Sequence, residues 1–70
     1  MRSYYSTHKS IRLFVLGVPE GWQVALYDID KQQWIDNAAW VQDTLRGAKA
    51  FAQERAAVVS GEKLPQCKWH

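Results

Sequence analysis

The chain has 70 residues, a net charge of +2 and 47% hydrophobic residues, which is enough for one domain with a thin core. Cys67 is the only cysteine, so no disulfide can form within the chain. No apolar run reaches the length of a signal peptide or a membrane span. Together these features predict a soluble cytoplasmic protein that has no contact with a membrane.

The first half of the chain predicts three strands after an N-terminal extension, residues 1–10. Residues 11–18, IRLFVLGV, are rich in β-branched and aromatic residues and end at Pro19. Gly21 can adopt a left-handed turn position, and residues 22–29, WQVALYDI, resume as the second strand of a hairpin. After a polar turn, residues 34–41, WIDNAAWV, predict the third strand.

The second half predicts a helix, because apolar residues recur there at helical spacing. This stripe consists of Leu45, Ala48, Ala52, Ala56 and Val59. Asp43 or Thr44 can cap the start of the helix, and Gly61 can end it in a left-handed conformation. Residues 62–70 show no periodicity and are expected to be a loose, dispensable tail. The predicted fold is α+β, with a three-stranded antiparallel sheet and one C-terminal helix packed on one face (β-β-β-α), in a domain of residues 11–61.

The helix sequence resembles the end of the amino-terminal arm-binding domain of phage-type tyrosine recombinases. The resemblance rests on the pattern T-L-x-x-A-K-x-x-A from Thr44, followed by Gly61 and Pro65, with Trp22 and Tyr27 in the upstream strands. It implies three strands followed by a helix, a bacterial or phage origin, and DNA binding by a sheet that enters the major groove. In that family the sheet carries Arg and Lys, whereas the corresponding strands here hold aspartates.

Groups that could carry out catalysis or bind a metal ion are few. Cys67 and His70 can pair as nucleophile and base, but a loose tail supplies no third, orienting group. Structural zinc needs four ligands, and His8 is the only other His or Cys in the chain. Asp28 and Asp30 lack the rest of a calcium-binding loop. We therefore expect no enzyme activity, small-molecule substrate, cofactor or metal ion.

Strand alternation divides the side chains between two faces of the predicted sheet. The inner face, under the helix, takes the apolar sets that begin at Ile11 and Trp22, together with Ile35 and Val41. The outer face takes the predicted partner-binding residues Arg12, Phe14, Tyr27, Trp34, Asp36 and Trp40. A single bulge would invert part of this assignment. Alternatively, the ends of the chain fold back so that Tyr4, Tyr5 and Trp69 cover the outer face.

Two functions are compatible with an aromatic outer face. The first is a small non-catalytic interaction module that binds a protein partner, including a second copy of itself, because exposed aromatic patches and Arg dominate interfaces. The alternative is a nucleic-acid-binding accessory of phage or mobile-element type, in which aromatic rings stack on bases. Residues 20–43 hold five acidic residues and one lysine. This acidic centre favours a protein partner because it would repel phosphates.

Overall fold

The computed structural model describes residues 2–35, 40–61 and 68–70. Its elements are β1 (Ser3–His8), β2 (Ile11–Val18), β3 (Gly21–Asp28), β4 (Gln33–Trp34), β5 (Trp40–Gln42) and α1 (Leu45–Ser60). The strands pair antiparallel in the order β1-β2-β3-β4, and β5 also pairs with β3. Helix α1 packs on one face of this sheet, so the predicted α+β architecture is confirmed. Among the described residues, no helix is both long enough and apolar enough to cross a membrane.

The sheet has an additional edge strand, β1, in the segment predicted to be an extension. It pairs with β2 from Ser3 opposite Leu16 to His8 opposite Ile11. The sequence of β1, SYYSTH, lacks the aliphatic residues that mark a buried strand. Only Ser6 of this strand is buried, which is why hydrophobicity alone did not predict it.

Glycine is required at the start of β3. Gly21 has a φ of 140°, which confirms its predicted left-handed turn position. A Cβ atom at Gly21 would collide with the carbonyl oxygen of Gln42 in the neighbouring strand β5. The glycine therefore both completes the β2–β3 turn and lets β5 approach β3 closely.

Both ends of α1 follow the predicted capping pattern. The backbone N–H of Gly47 donates to Thr44 Oγ1 at 3.0 Å, so Thr44 rather than Asp43 is the N-cap. At the other end Gly61 is left-handed, with a φ of 72°, and its N–H donates to the carbonyl of Ala57. These caps fix a sixteen-residue helix directly after β5.

The core lies between α1 and the two long central strands. Three helix residues are fully buried, and all are alanines, which lets the helix lie close to the sheet. The buried residues are Ile11, Leu13 and Val15 of β2, Val24 and Leu26 of β3, and Ala48, Ala52 and Ala56 of α1. Larger side chains, including Trp22 and Leu45, are partly buried around this set. The inner faces predicted for the first two strands are thus confirmed, whereas Val59 of the predicted helix stripe is exposed.

The predicted third strand is two short strands with different registers against β3. Tyr27 pairs with Trp34, so uninterrupted pairing would place residue 37 opposite Val24. Trp40 lies there instead, three residues further along the chain. An odd offset exchanges the two faces of a strand. The side chains of β5 therefore point to the opposite faces from those expected for an uninterrupted strand that begins at Trp34.

This exchange corrects two predicted orientations. Trp40 faces α1 and packs on Phe51 with ring centroids 5.5 Å apart, so the prediction that it faces outward is wrong. Val41, predicted to be inward, is 47% exposed. The outward position of Trp34 and the inward position of Ile35 are confirmed.

The last three residues, 68–70, lie along the outer edge of β1. The backbones of Tyr5 and His70 exchange two hydrogen bonds, of 3.1 and 2.9 Å. The hydroxyl of buried Ser6 donates to the carbonyl of Lys68 at 2.9 Å, and the indole N–H of Trp69 donates to Gln53 Oε1 at 3.0 Å. The prediction of a loose tail is therefore wrong for these residues, and Pro65 and Cys67 lie outside the described residues.

Candidate interaction surface

The sheet face opposite α1, called the open face below, carries every second residue of the strands. Register and alternation place the following described residues on it: Ser3, Tyr5 and Thr7 of β1, Arg12, Phe14 and Leu16 of β2, Gln23, Ala25 and Tyr27 of β3, Trp34 of β4 and Val41 of β5. No described helix or strand lies over this face. Trp34 is 52% exposed and Tyr5 is 44% exposed.

Cross-strand pairing arranges these residues in three rows across the sheet. One end row is polar and aliphatic and holds Ser3, Leu16, Gln23 and Val41. The middle row holds Tyr5, Phe14 and Ala25. The other end row holds Thr7, Arg12, Tyr27 and Trp34. The four aromatic residues of the open face thus lie in two adjacent rows. Each of the four strands β1 to β4 contributes one of them.

Three of these rings form one packed cluster around Trp34. Its ring centroid lies 5.0 Å from that of Tyr27, at an interplanar angle of 74°, and 5.6 Å from that of Phe14, at 53°. Ala25 lies between Phe14 and Trp34 in the sheet, and its methyl group leaves room for the indole to reach across. The T-shaped contact with Tyr27 and the tilted contact with Phe14 are both favourable ring arrangements, so the two rings support the Trp34 indole from two sides.

Arg12 and Tyr5 form the second part of the aromatic surface. The guanidinium carbon of Arg12 lies 5.5 Å from the Tyr5 ring centroid, within the range of a cation–π interaction. Arg12 Nε also donates to Thr7 Oγ1 at 3.3 Å. The His70 ring lies on Tyr5 with centroids 5.3 Å apart. These contacts hold a cation beside the aromatic cluster.

Of the acidic residues in the middle segment, those that the structure describes are not strand residues of the open face. Asp28 pairs with Ile11, on the helix side of the sheet, and its carboxylate accepts a 3.0 Å hydrogen bond from the backbone N–H of Lys31. Asp30 lies in the following turn and Asp43 precedes the helix. Among the described strand residues of the open face, Arg12 is the only charged one. Within the described residues, the acidic segment of the sequence therefore does not form an acidic surface on the strands of the open face.

The structure brings together four of the six predicted partner-binding residues: Arg12, Phe14, Tyr27 and Trp34. Trp40 lies on the opposite face, and Asp36 lies outside the described residues. Sequence analysis missed Tyr5 and Val41 as members of the open face. In the strand SYYSTH, the side chain of Tyr5 points to the opposite face from those of Tyr4 and Ser6. Strand alternation was therefore the signal that could have placed Tyr5 on the open face. Tyr4 and Trp69 lie on the helix side, which excludes their predicted alternative role as a cover of the open face.

Within the described ranges, no three His, Cys, Asp or Glu side chains lie close enough to share a metal ion. An open cavity of about 490 Å³ is lined by Arg2, Gly17, Val18, Pro19, Gly21 and Trp22. Its only ionisable group is Arg2, so these residues supply neither a nucleophile nor a general base.

Comparison of the chain with protein families, with curated proteins and with solved structures gave no match.

Proposed function

We propose that this protein is a small non-catalytic interaction module that binds a protein partner through the open face. The observation that carries the proposal is the environment of Trp34. Its indole is half exposed, yet Tyr27 and Phe14 hold it in place on a face that no described element covers. A large apolar side chain restrained in this way contributes binding energy at little cost in conformational entropy.

The composition of the open face also supports a protein interface. Trp, Tyr and Arg are the residues most enriched among those that dominate binding energy, and here Trp34, Tyr27, Tyr5 and Arg12 are neighbours. Polar Thr7, Ser3 and Gln23 lie around them. An apolar centre with a polar rim is the usual organisation of a protein–protein interface.

A nucleic-acid-binding accessory is the second candidate, and one observation favours it. The described strand residues of the open face carry no carboxylate, so the repulsion of phosphates that the sequence suggested is weaker on this face. Against it, base stacking uses the flat faces of rings, while Trp34, Tyr27 and Phe14 turn edges and faces toward one another. Arg12 is also a single cation, and phosphate affinity grows with the number of cations. The resemblance to arm-binding domains stays a prediction.

Affinity capture with two matched variants tests the proposal. Trp34→Ser removes the exposed indole from the open face, and Val58→Ser removes an exposed apolar side chain from the helix. The parent and Val58→Ser proteins should retain the same partner protein from a lysate of the native host, and Trp34→Ser should not. Circular dichroism of all three proteins checks that each is folded.

Titration with labelled single- and double-stranded DNA at about 50 and 200 mM salt separates the two candidates. For a protein-binding module we expect weak binding that Trp34→Ser leaves unchanged. Tight binding at low salt that falls by orders of magnitude at the higher salt, and that Arg12→Ala or Trp34→Ser removes, would refute the proposal in favour of nucleic acid.

A further inference from the structure

We infer that the open cavity beside the β2–β3 turn is a binding site for a small aromatic carboxylate. Its aromatic wall is Trp22, which packs on the helix side of the sheet, so this site is separate from the open face. Three properties of the cavity support the inference: its shape, the apolar character of its lining and the state of its one cation.

A row of the sheet with a glycine at its centre gives the cavity its shape. Gly17 pairs with Trp22, and the Gly17 N–H donates to the carbonyl of Arg2, directly before β1, at 2.8 Å. The row therefore has a side chain at each end and bare backbone between them. Strand spacing places the two ends ~9.6 Å apart. The cavity volume of about 490 Å³ lies within the range of small-molecule sites, ~300–1,000 Å³.

The lining is largely apolar, and its indole is held in place. Val18 and Pro19 lie beside Trp22 in the cavity wall. The Trp22 ring packs against the core and on the Tyr4 ring, with centroids 5.9 Å apart and an interplanar angle of 53°. A Cβ atom on Gly17 would lie 3.4 Å from Trp22 Cζ3, so the indole also lies close to β2. A planar apolar ligand can pack on this ring at little cost in conformational entropy.

The single cation of the lining is Arg2, and its side chain is exposed. Among the residues that the structure describes, none accepts a hydrogen bond from the Arg2 guanidinium or forms an ion pair with it. A guanidinium presents its N–H groups as a rigid fork that matches the two oxygens of a carboxylate. The cavity therefore combines a donor for a carboxylate with an apolar wall for the rest of the ligand.

Two acidic residues near the other end of the cavity determine the orientation of the ligand. Glu20 precedes Gly21 in the turn, and the Asp43 Cα lies 3.6 Å from the position that a Cβ of Gly21 would occupy. Neither acidic residue lines the cavity. Because like charges repel, the carboxylate of the ligand belongs at Arg2 and its ring belongs on Trp22. An anion without an apolar group would leave this wall unused.

The test is a titration of the ¹⁵N-labelled protein with 1-naphthoate, followed by NMR, with uncharged 1-naphthalenemethanol as the control ligand. For an open site we expect a Kd of ~0.1–1 mM for naphthoate. Saturable shifts should appear at the Trp22 indole N–H and at the Gly17 and Gly21 amides, and not at the Trp34 indole N–H. The alcohol should bind more weakly, because it cannot form the ion pair.

Two matched variants locate the charge that the ligand uses. Arg2→Gln should weaken naphthoate binding by ~3–10-fold, as expected for one exposed charge-assisted contact, and should change the affinity for the alcohol by less than ~2-fold. Arg12→Gln makes the same exchange at an exposed guanidinium of the open face and should change neither affinity by more than ~2-fold. Circular dichroism checks that both variants are folded.

Several outcomes would overturn the inference: no saturable shifts at Trp22, equal affinity of the parent protein for the two ligands, or an equal loss of naphthoate binding in Arg2→Gln and Arg12→Gln. Shifts confined to the Trp34 indole would place the ligand on the open face instead. Inorganic phosphate that displaces naphthoate at equal concentration would show a general anion site without aromatic selectivity. Because Arg2→Gln leaves the open face intact, it should still capture the protein partner, so the proposed function is tested separately.

Discussion

Deletion of residues 68–70 should destabilise the fold severely, because this short segment connects β1 to α1. The side chain of Trp69 is partly buried against the core, and its indole N–H donates to Gln53. Lys49 lies over both Trp69 and Tyr4, with its Nζ 5.7 and 4.5 Å from the two ring centroids. The loss of the segment therefore removes apolar contacts, four hydrogen bonds and a cation–π interaction at once.

The expected loss of unfolding free energy on deletion follows from these contacts. Truncation of a fully buried Trp costs ~3–5 kcal/mol, so half-buried Trp69 should account for ~2–3 kcal/mol, including its hydrogen bond. Ser6 is only 1% exposed, and the deletion takes away the Lys68 carbonyl to which its hydroxyl donates. An unpaired buried hydroxyl costs ~1–3 kcal/mol. The total of ~3–6 kcal/mol approaches the whole stability expected of a 70-residue domain, ~4–10 kcal/mol.

Urea unfolding followed by circular dichroism measures this loss, with His70→Ala as the control. His70→Ala keeps the two backbone hydrogen bonds with Tyr5 and should cost less than ~1 kcal/mol. Trp69→Ala should cost about half of the full deletion. If the deletion variant unfolds within ~1 kcal/mol of the parent, then the segment does not hold β1 to α1, and the reasoning from these contacts is refuted.

Substitutions at four positions test other parts of the fold, each by urea or thermal unfolding. Gly21→Ala should cost at least ~2 kcal/mol, because the new Cβ meets the Gln42 carbonyl at a positive φ; a smaller loss would contradict the close approach of β5. Trp22→Ala should cost ~3 kcal/mol, since its ring packs on the core and on Tyr4, and a Tm within a few degrees of the parent's would argue against this packing. Thr44→Ala should cost ~1 kcal/mol through loss of the N-cap, and Thr44→Ser should restore it. Trp40→Ser should cost ~2–4 kcal/mol, and an unchanged midpoint would show that this ring does not face the helix.

Sequence patterns predicted those strands and that helix in which the local residue types and the pattern of buried positions indicate the same secondary structure. The strands that hold Leu13 and Val24 alternate apolar residues regularly, and the helix has a cap at Thr44 and a terminator at Gly61. In these segments propensity, periodicity and packing all favour the same structure. The architecture and the inner faces of the two central strands could be predicted for this reason.

Two features depend on contacts between residues distant in sequence, and sequence patterns did not predict them. Strand β1 is polar and pairs with β2. Its Tyr4 lies with Trp69, more than sixty residues away in sequence, around the core. Residues 68–70 show no periodicity, because His70 pairs with the backbone of Tyr5 and Trp69 places its indole beside Gln53. Neither contact has a local signature, since backbone pairing is indifferent to side-chain type.

The different orientations of Trp34 and Trp40 show how the register of one strand determines which surface this protein presents. Trp34 and Trp40 are six residues apart, so one uninterrupted strand would place both on the same face. The three-residue shift against β3 places Trp40 on Phe51 under the helix and leaves Trp34 outside. The chain thereby gains a core contact that its small alanines do not provide. It also keeps the exposed aromatic cluster small, with one indole supported by Tyr27 and Phe14. The register shift therefore contributes both to the core and to the exposed aromatic surface on which the proposed function rests.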